Sequence, residues 1–161
     1  MKYILRTLGL GLVVLSSWAH ASDRVEVHEA WVREAPPNVS ILAAYLTLEN
    51  HAGEARVLKQ VTSTAFGHVE IHRTEMHDGM AHMIMLPEIS VPPHDTLVFQ
   101  QGGLHLMLFD PKHPLKAGDS VSLTLHFSDG STLEVNAPVR KSTGGTQMQH
   151  DMDMHDHQHM H

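Results

Sequence analysis

An all-β chain of short antiparallel strands, packed as a sandwich or barrel, is what the sequence predicts, and three observations predict it. Runs of alternating apolar and polar residues recur from Val25 to Arg140, and a period of two is what a strand with one buried face requires. Turn-forming residues separate these runs at short intervals, as in a sandwich. No stretch of ordinary helix length carries the apolar period of a helix.

In chain order the expected strands are Val25 to Val32, Ile41 to Glu49, Arg56 to Ser63, His68 to Thr74, Ala81 to Leu86, Thr96 to Gln100, Leu104 to Phe109, Ser120 to Phe127 and Thr132 to Val139. The turns between them fall at Pro36-Pro37-Asn38, His51-Ala52-Gly53, His77-Asp78-Gly79, Pro92-Pro93-His94-Asp95, Gln101-Gly102-Gly103, Lys116-Ala117-Gly118-Asp119 and Ser128-Asp129-Gly130. The last is a strong hairpin signal, because Asp-Gly supplies the positive backbone angles of a tight turn.

The two ends differ from this body. Lys2 and Arg6, an apolar run from Leu8 to Leu15, and Ala19-His20-Ala21 before Ser22 make residues 1–21 a signal peptide, expected to be cut after Ala21. The run is shorter than the roughly 18 residues of a membrane span. The expected location is therefore periplasmic, with residues 22–141 as one soluble β domain, most simply a monomer. After Lys141, Ser142-Thr143-Gly144-Gly145-Thr146 reads as a flexible linker. The remaining tail carries His150, Met152, Met154, His155, His157, His159, Met160 and His161. It has nothing to bury and is expected to be disordered without metal. Met and Asp are interleaved with its histidines, which distinguishes it from a uniform purification tag.

Composition narrows the chemistry. The formal charge is −7, and the leader removes Lys2 and Arg6, so an acidic surface argues against nucleic acid. Cysteine is absent, which excludes iron–sulfur clusters, thiolate zinc sites and cysteine-ligated blue copper. Yet 16 histidines and 10 methionines sit beside only two Trp, two Tyr and four Phe. Metal binding is the first function these numbers suggest.

Alternation sorts the donors. In Leu104-His105-Leu106-Met107-Leu108 the leucines take the core face, leaving His105 and Met107 together on the outward one. In Val69-Glu70-Ile71-His72 the apolar pair takes the core and His72 faces outward. Between these segments lie Met76, Met80, Met83 and Met85, and a thioether is the expected fourth donor. Thioether sulfur is soft and neutral, so the set favours Cu(I). Imidazole and carboxylate suit Cu(II) better, and Cu(II) is the ion expected on the tail.

The spacing resembles a known family, the periplasmic copper chaperones called PCuAC, whose pattern is His, ten residues, Met, twenty-one residues, His, one residue, Met. His72, Met83, His105 and Met107 match all four positions. Val69-Glu70-Ile71-His72, Gly102-Gly103-Leu104-His105-Leu106-Met107-Leu108 and Pro114-Leu115-Lys116-Ala117-Gly118-Asp119 also look like that family, so the likeness covers the whole domain. Gln101 stands where the family usually has Pro. The resemblance implies a cupredoxin-like Greek-key sandwich that holds Cu(I) on these four residues. It also implies delivery to the Cu(A) domain of cytochrome c oxidase or another thiol-containing copper assembly protein.

Alternatives stay open at this point. Core filler is the alternative reading of Met83, and Met85 or Met80 takes its place if the register is shifted. His68, His77 and His82 lie near the pattern without a slot in it, and help in loading copper is one role for them. His28, His51, His94, His113 and His126 are expected to be solvent-facing or structural. A scavenger that sequesters copper for tolerance fits the same residues. No catalytic motif is present, and the expected protein is not an enzyme. One route to catalysis remains: cleavage after Ala19 would expose His20 as an N-terminal copper chelator, as in copper monooxygenases.

Overall fold

The computed structural model describes residues 24–36 and 38–141. The expected signal peptide with its His20, Pro37 of the first turn, and the expected linker and metal-binding tail lie outside the described residues. Within them the chain forms ten strands and no helix: β1 (Val25–Arg33), β2 (Ile41–Asn50), β3 (Arg56–Thr62), β4 (His68–His77), β5 (Met80–Leu86), β6 (Ile89–Val91), β7 (Thr96–Phe99), β8 (Leu104–Phe109), β9 (Ser120–Phe127) and β10 (Thr132–Arg140). Nine of these were expected, and β6 was not. Its three residues are too few to display a period.

The strands form one sheet in the order β5-β4-β8-β7-β2-β1-β10-β9-β3-β6, with an additional pairing of β8 with β2. Most neighbours are antiparallel, as expected. Two pairs are parallel: β1 with β10, through Val32 opposite Val139, and β7 with β8, through Phe99 opposite Leu104. Side-chain alternation reports which face is buried and carries no information on strand direction, so these pairs could not be read from it.

The core face is aliphatic. Leu46 and Leu48 of β2, Leu58 of β3, Leu106 and Leu108 of β8, and Leu123 and Leu125 of β9 are almost entirely buried, each contributing about 1.5–3 kcal/mol through burial. They belong to a single cluster spanning both halves of the sheet. The fold is the all-β barrel-like sandwich that the sequence predicts.

One polar side chain enters this core. Asn50, at the end of β2, is fully buried. Its Nδ2 donates to the carbonyls of Glu54 at 2.8 Å, Val91 at 3.1 Å and Pro92 at 2.9 Å, while Oδ1 accepts from Ala52 N–H at 3.0 Å. Asn50 thus closes the turn after β2 and ties it to β6. Asn50→Ala leaves these buried groups without partners, each worth about 1–3 kcal/mol when unsatisfied. The expected loss of stability is about 3 kcal/mol, read as a lower urea midpoint; an unchanged midpoint would refute this role.

Candidate metal centre

The expected donors gather on the outer, non-core face of β8, β4 and β5. Directly opposed residues on neighbouring strands share a face. Ile71 opposes Leu106 on the core side, so His72 opposes His105 on the other, and Glu70 opposes Met107. Across the next pair, His72 opposes Met85 and Thr74 opposes Met83. Met83 and Met85 are therefore both on the face of His72. Met80 opposes His77, one residue out of phase, and lies on the reverse face.

A cavity of about 450 Å³ opens on this face, with Met83, His105 and Met107 in its lining beside Tyr45, Thr74 and Gly102. Three of the four expected ligands thus share one cavity. His72 adjoins it through His105, their ring centroids 5.9 Å apart. Met85 is not in the lining.

Burial departs from expectation. His105 lies on the outer face as predicted but is only 6% exposed, and the side chain of His72 is 12% exposed. Neither is the solvent-facing residue that alternation alone implies. The loop entering β8 supplies one reason. Gly102 holds a positive φ of 74°, a conformation glycine adopts without penalty, and the Gly103 carbonyl then accepts Thr74 N–H at 3.1 Å. The loop is thereby folded against β4 beside the two rings. Met83, by contrast, is 63% exposed, which removes the reading of it as core filler. β5 is an edge strand paired only with β4.

Hydrogen bonds orient each ring. His105 Nδ1 lies 3.0 Å from the same Gly103 carbonyl. A carbonyl only accepts, so Nδ1 carries the proton and Nε2 presents a lone pair. His72 Nε2 lies 2.7 Å from Glu70 Oε2, while its Nδ1 is buried and has no hydrogen-bond partner. Glu70 therefore holds the proton on Nε2 and leaves Nδ1 as the donor. A carboxylate or carbonyl behind the imidazole is the arrangement that fixes tautomer and aim in metal-binding histidines. Sequence reasoning passed over Glu70, although its position two residues before His72 placed both on one face.

The neighbouring histidines separate by location. His68 stacks on Phe109, centroids 4.4 Å apart and planes within 4°. His77 and His82 are 5.9 Å apart, on the reverse face of the β4–β5 hairpin. His126 approaches Thr62 Oγ1 at 2.9 Å, a structural contact as expected. Among the described residues, no three histidine, aspartate or glutamate groups form a ready metal cage. A set of two imidazoles and two thioethers falls outside that description.

The LpqE-like lipoprotein family model matches residues 25–139. The protein Lxx21020 of Leifsonia xyli subsp. xyli is 34% identical over 127 residues, 78% of this chain and 75% of that protein. The solution structure of CuI-DR1885 from Deinococcus radiodurans is 38% identical, with a TM-score of 0.57, over 69% of this chain and 74% of that one. The copper-bound PCuAC domain from PmoF2 has a TM-score of 0.63 at 21% identity, over 73% of this chain and 93% of that one, and shows the common fold.

The two rings have a checkable protonation pattern. Long-range proton–nitrogen NMR at neutral pH should find His105 as the Nδ1–H tautomer and His72 as the Nε2–H tautomer. Glu70→Gln should broaden or mix the His72 pattern and leave His105 unchanged. Opposite tautomers would remove the proposed aim of both nitrogens.

Proposed function

The chain belongs to the LpqE-like family, and we propose from that premise that it is a copper carrier, holding Cu(I) on His72, Met83, His105 and Met107. The observation that carries this reading is one outer-face cavity lined by Met83, His105 and Met107, with the unpartnered His72 Nδ1 beside it. Its likeness to the Cu(I)-loaded Deinococcus protein supports the choice of ion. So does the chemistry: two imidazoles and two thioethers are soft to borderline and uncharged. Copper here is cargo, and the protein acts as carrier rather than catalyst.

Release follows from the same donors. Neutral ligands hold Cu(I) less tightly than thiolates, which add charge and softness together. The ion therefore passes downhill to a thiolate acceptor, for which the Cu(A) domain of cytochrome c oxidase is the proposed partner, in a periplasmic setting after signal-peptide removal. The proposed tail, from His150 to His161, collects Cu(II). Its attachment point suits that role, since Glu34 N–H donates to the Arg140 carbonyl at 2.8 Å and Glu34 itself lines the cavity.

Each ligand-to-Ala change should weaken Cu(I) binding at least tenfold, about 1.4 kcal/mol, in competition with a chromophoric chelator. Met83 is assigned over Met85 because it shares the cavity, so Met85→Ala should bind nearly as wild type. The reverse result would move the fourth ligand to Met85. Delivery has its own measurement. Copper-loaded protein is mixed with reduced, metal-free Cu(A) domain and the two are separated. The copper should leave with the acceptor; retention by the donor would favour storage for copper tolerance instead.

A further inference from the structure

A second set of donors occupies the other end of the β1–β2 pair. Glu26 of β1 opposes Glu49 of β2, and His28 and His51 each follow one of these glutamates by two residues, so all four share a face. The ladder extends to His51, whose N–H donates to the Arg24 carbonyl at 3.0 Å. Like charges directly opposed across strands repel. Arg24 engages Glu26 Oε1, leaving Oε2 of Glu26 and the Glu49 carboxylate turned toward the imidazoles.

The distances are unlike those of a hydrogen-bonded cluster. His28 Nε2 lies 3.4 Å from Glu26 Oε2 and 3.3 Å from Glu49 Oε2. His51 Nε2 lies 3.6 Å from Glu26 Oε2 and 3.7 Å from Glu49 Oε1. Imidazole and carboxylate thus alternate around a ring that passes through both oxygens of Glu49, and each of its four nitrogen–oxygen contacts exceeds the roughly 2.7–3.2 Å of a good N–H···O bond. Consistent with this, His51 Nε2 is buried and has no hydrogen-bond partner. A tetrahedral ion with bonds of about 2.0–2.1 Å holds neighbouring donors about 3.3–3.4 Å apart. Square-planar ligation at the same bond length needs about 2.8–2.9 Å. The observed edges lie at and slightly beyond the tetrahedral value.

We propose that Glu26, His28, Glu49 and His51 form a binding site for a divalent cation of the zinc class, separate from the His72 cavity. Two neutral imidazoles and two carboxylates match the charge and borderline softness of such an ion. Without a thioether the set does not favour Cu(I), so the two ends of the domain select different metals. The ring is open as it stands, since no three of these heads already enclose one point. Closing it calls on side chains that are 29% to 46% exposed and so have room to rotate.

The test uses the full chain with Co²⁺ as a spectroscopic probe and Zn²⁺ as competitor. Tail and cavity bind metals too, so the measurement is a difference between variants. Wild type and His72→Ala/His105→Ala should show the strong visible absorption of four-coordinate Co²⁺, removed by one equivalent of Zn²⁺. His28→Asn/His51→Asn should lose that absorption and one equivalent of bound metal. Should that variant fail to fold, Glu26→Gln/Glu49→Gln gives the same comparison while keeping side-chain size. Equal stoichiometry and spectrum in wild type and the folded variant would overturn the proposal. So would a wild-type spectrum of six-coordinate Co²⁺ alone.

Discussion

The register in which Ile71 faces Leu106 across β4 and β8 is the constraint on which the cavity depends. Both side chains are almost fully buried, and each holds its strand to that phase by the free energy of burial, about 1.5–3 kcal/mol. A slip of one residue would invert the strand, exposing Ile71 and driving His72 into the aliphatic core. The flanking Leu108, also fully buried, adds to the same penalty. The rings of His72 and His105 are thus placed opposite each other by the residues between them. The donors contribute nothing to the core and yet have their positions dictated by it.

Alternation alone makes this much legible in the sequence. Leu104 to Phe109 and Ser120 to Phe127 were bounded as found, because their leucines repeat every second residue. β4 proved longer than expected, running to His77, since Thr74-Glu75-Met76 has no apolar rhythm to announce a strand. It is held instead by seven residue pairs with β5. The face of His105 was legible and its burial was not. Burial comes from how the chain folds back on itself, here the Gly102-Gly103 loop bonded to Thr74 of a strand distant in sequence, and no local period encodes that contact.

The same limit explains the histidines set aside at first. Glu26-Val27-His28, Glu49-Asn50-His51 and Glu70-Ile71-His72 share one pattern, an acid and an imidazole two apart on a strand with a core residue between them. In isolation each is an ordinary outer face. The hairpin of β1 and β2 brings two of them together, whereas β4 brings the third against His105 of β8. Asn50 anchors the first arrangement through its buried hydrogen bonds, fixing Glu49 and His51 on either side of it. The signal was present in the repeated pattern, and strand pairing supplied its meaning.

The expected donors of the cavity differ in how firmly they are held, and on the proposed function that difference would give copper exchange a direction. His105 is buried in a strand paired on both sides and is bonded to Gly103. His72 is half-buried on β4 and bonded to Glu70. Met83 stands on an edge strand with most of its surface open, and a thioether has no second polar group to anchor it. On the proposed function, the imidazoles form a fixed seat and Met83 a side that opens. An incoming thiolate would then displace the thioether before either imidazole, and the ion would leave across the edge of the sheet. A fixed seat would keep the ion held until the acceptor is bound, so no free ion need enter solution. An edge strand ordinarily invites unwanted pairing, and on the proposed function its exposure would let a second protein reach the metal.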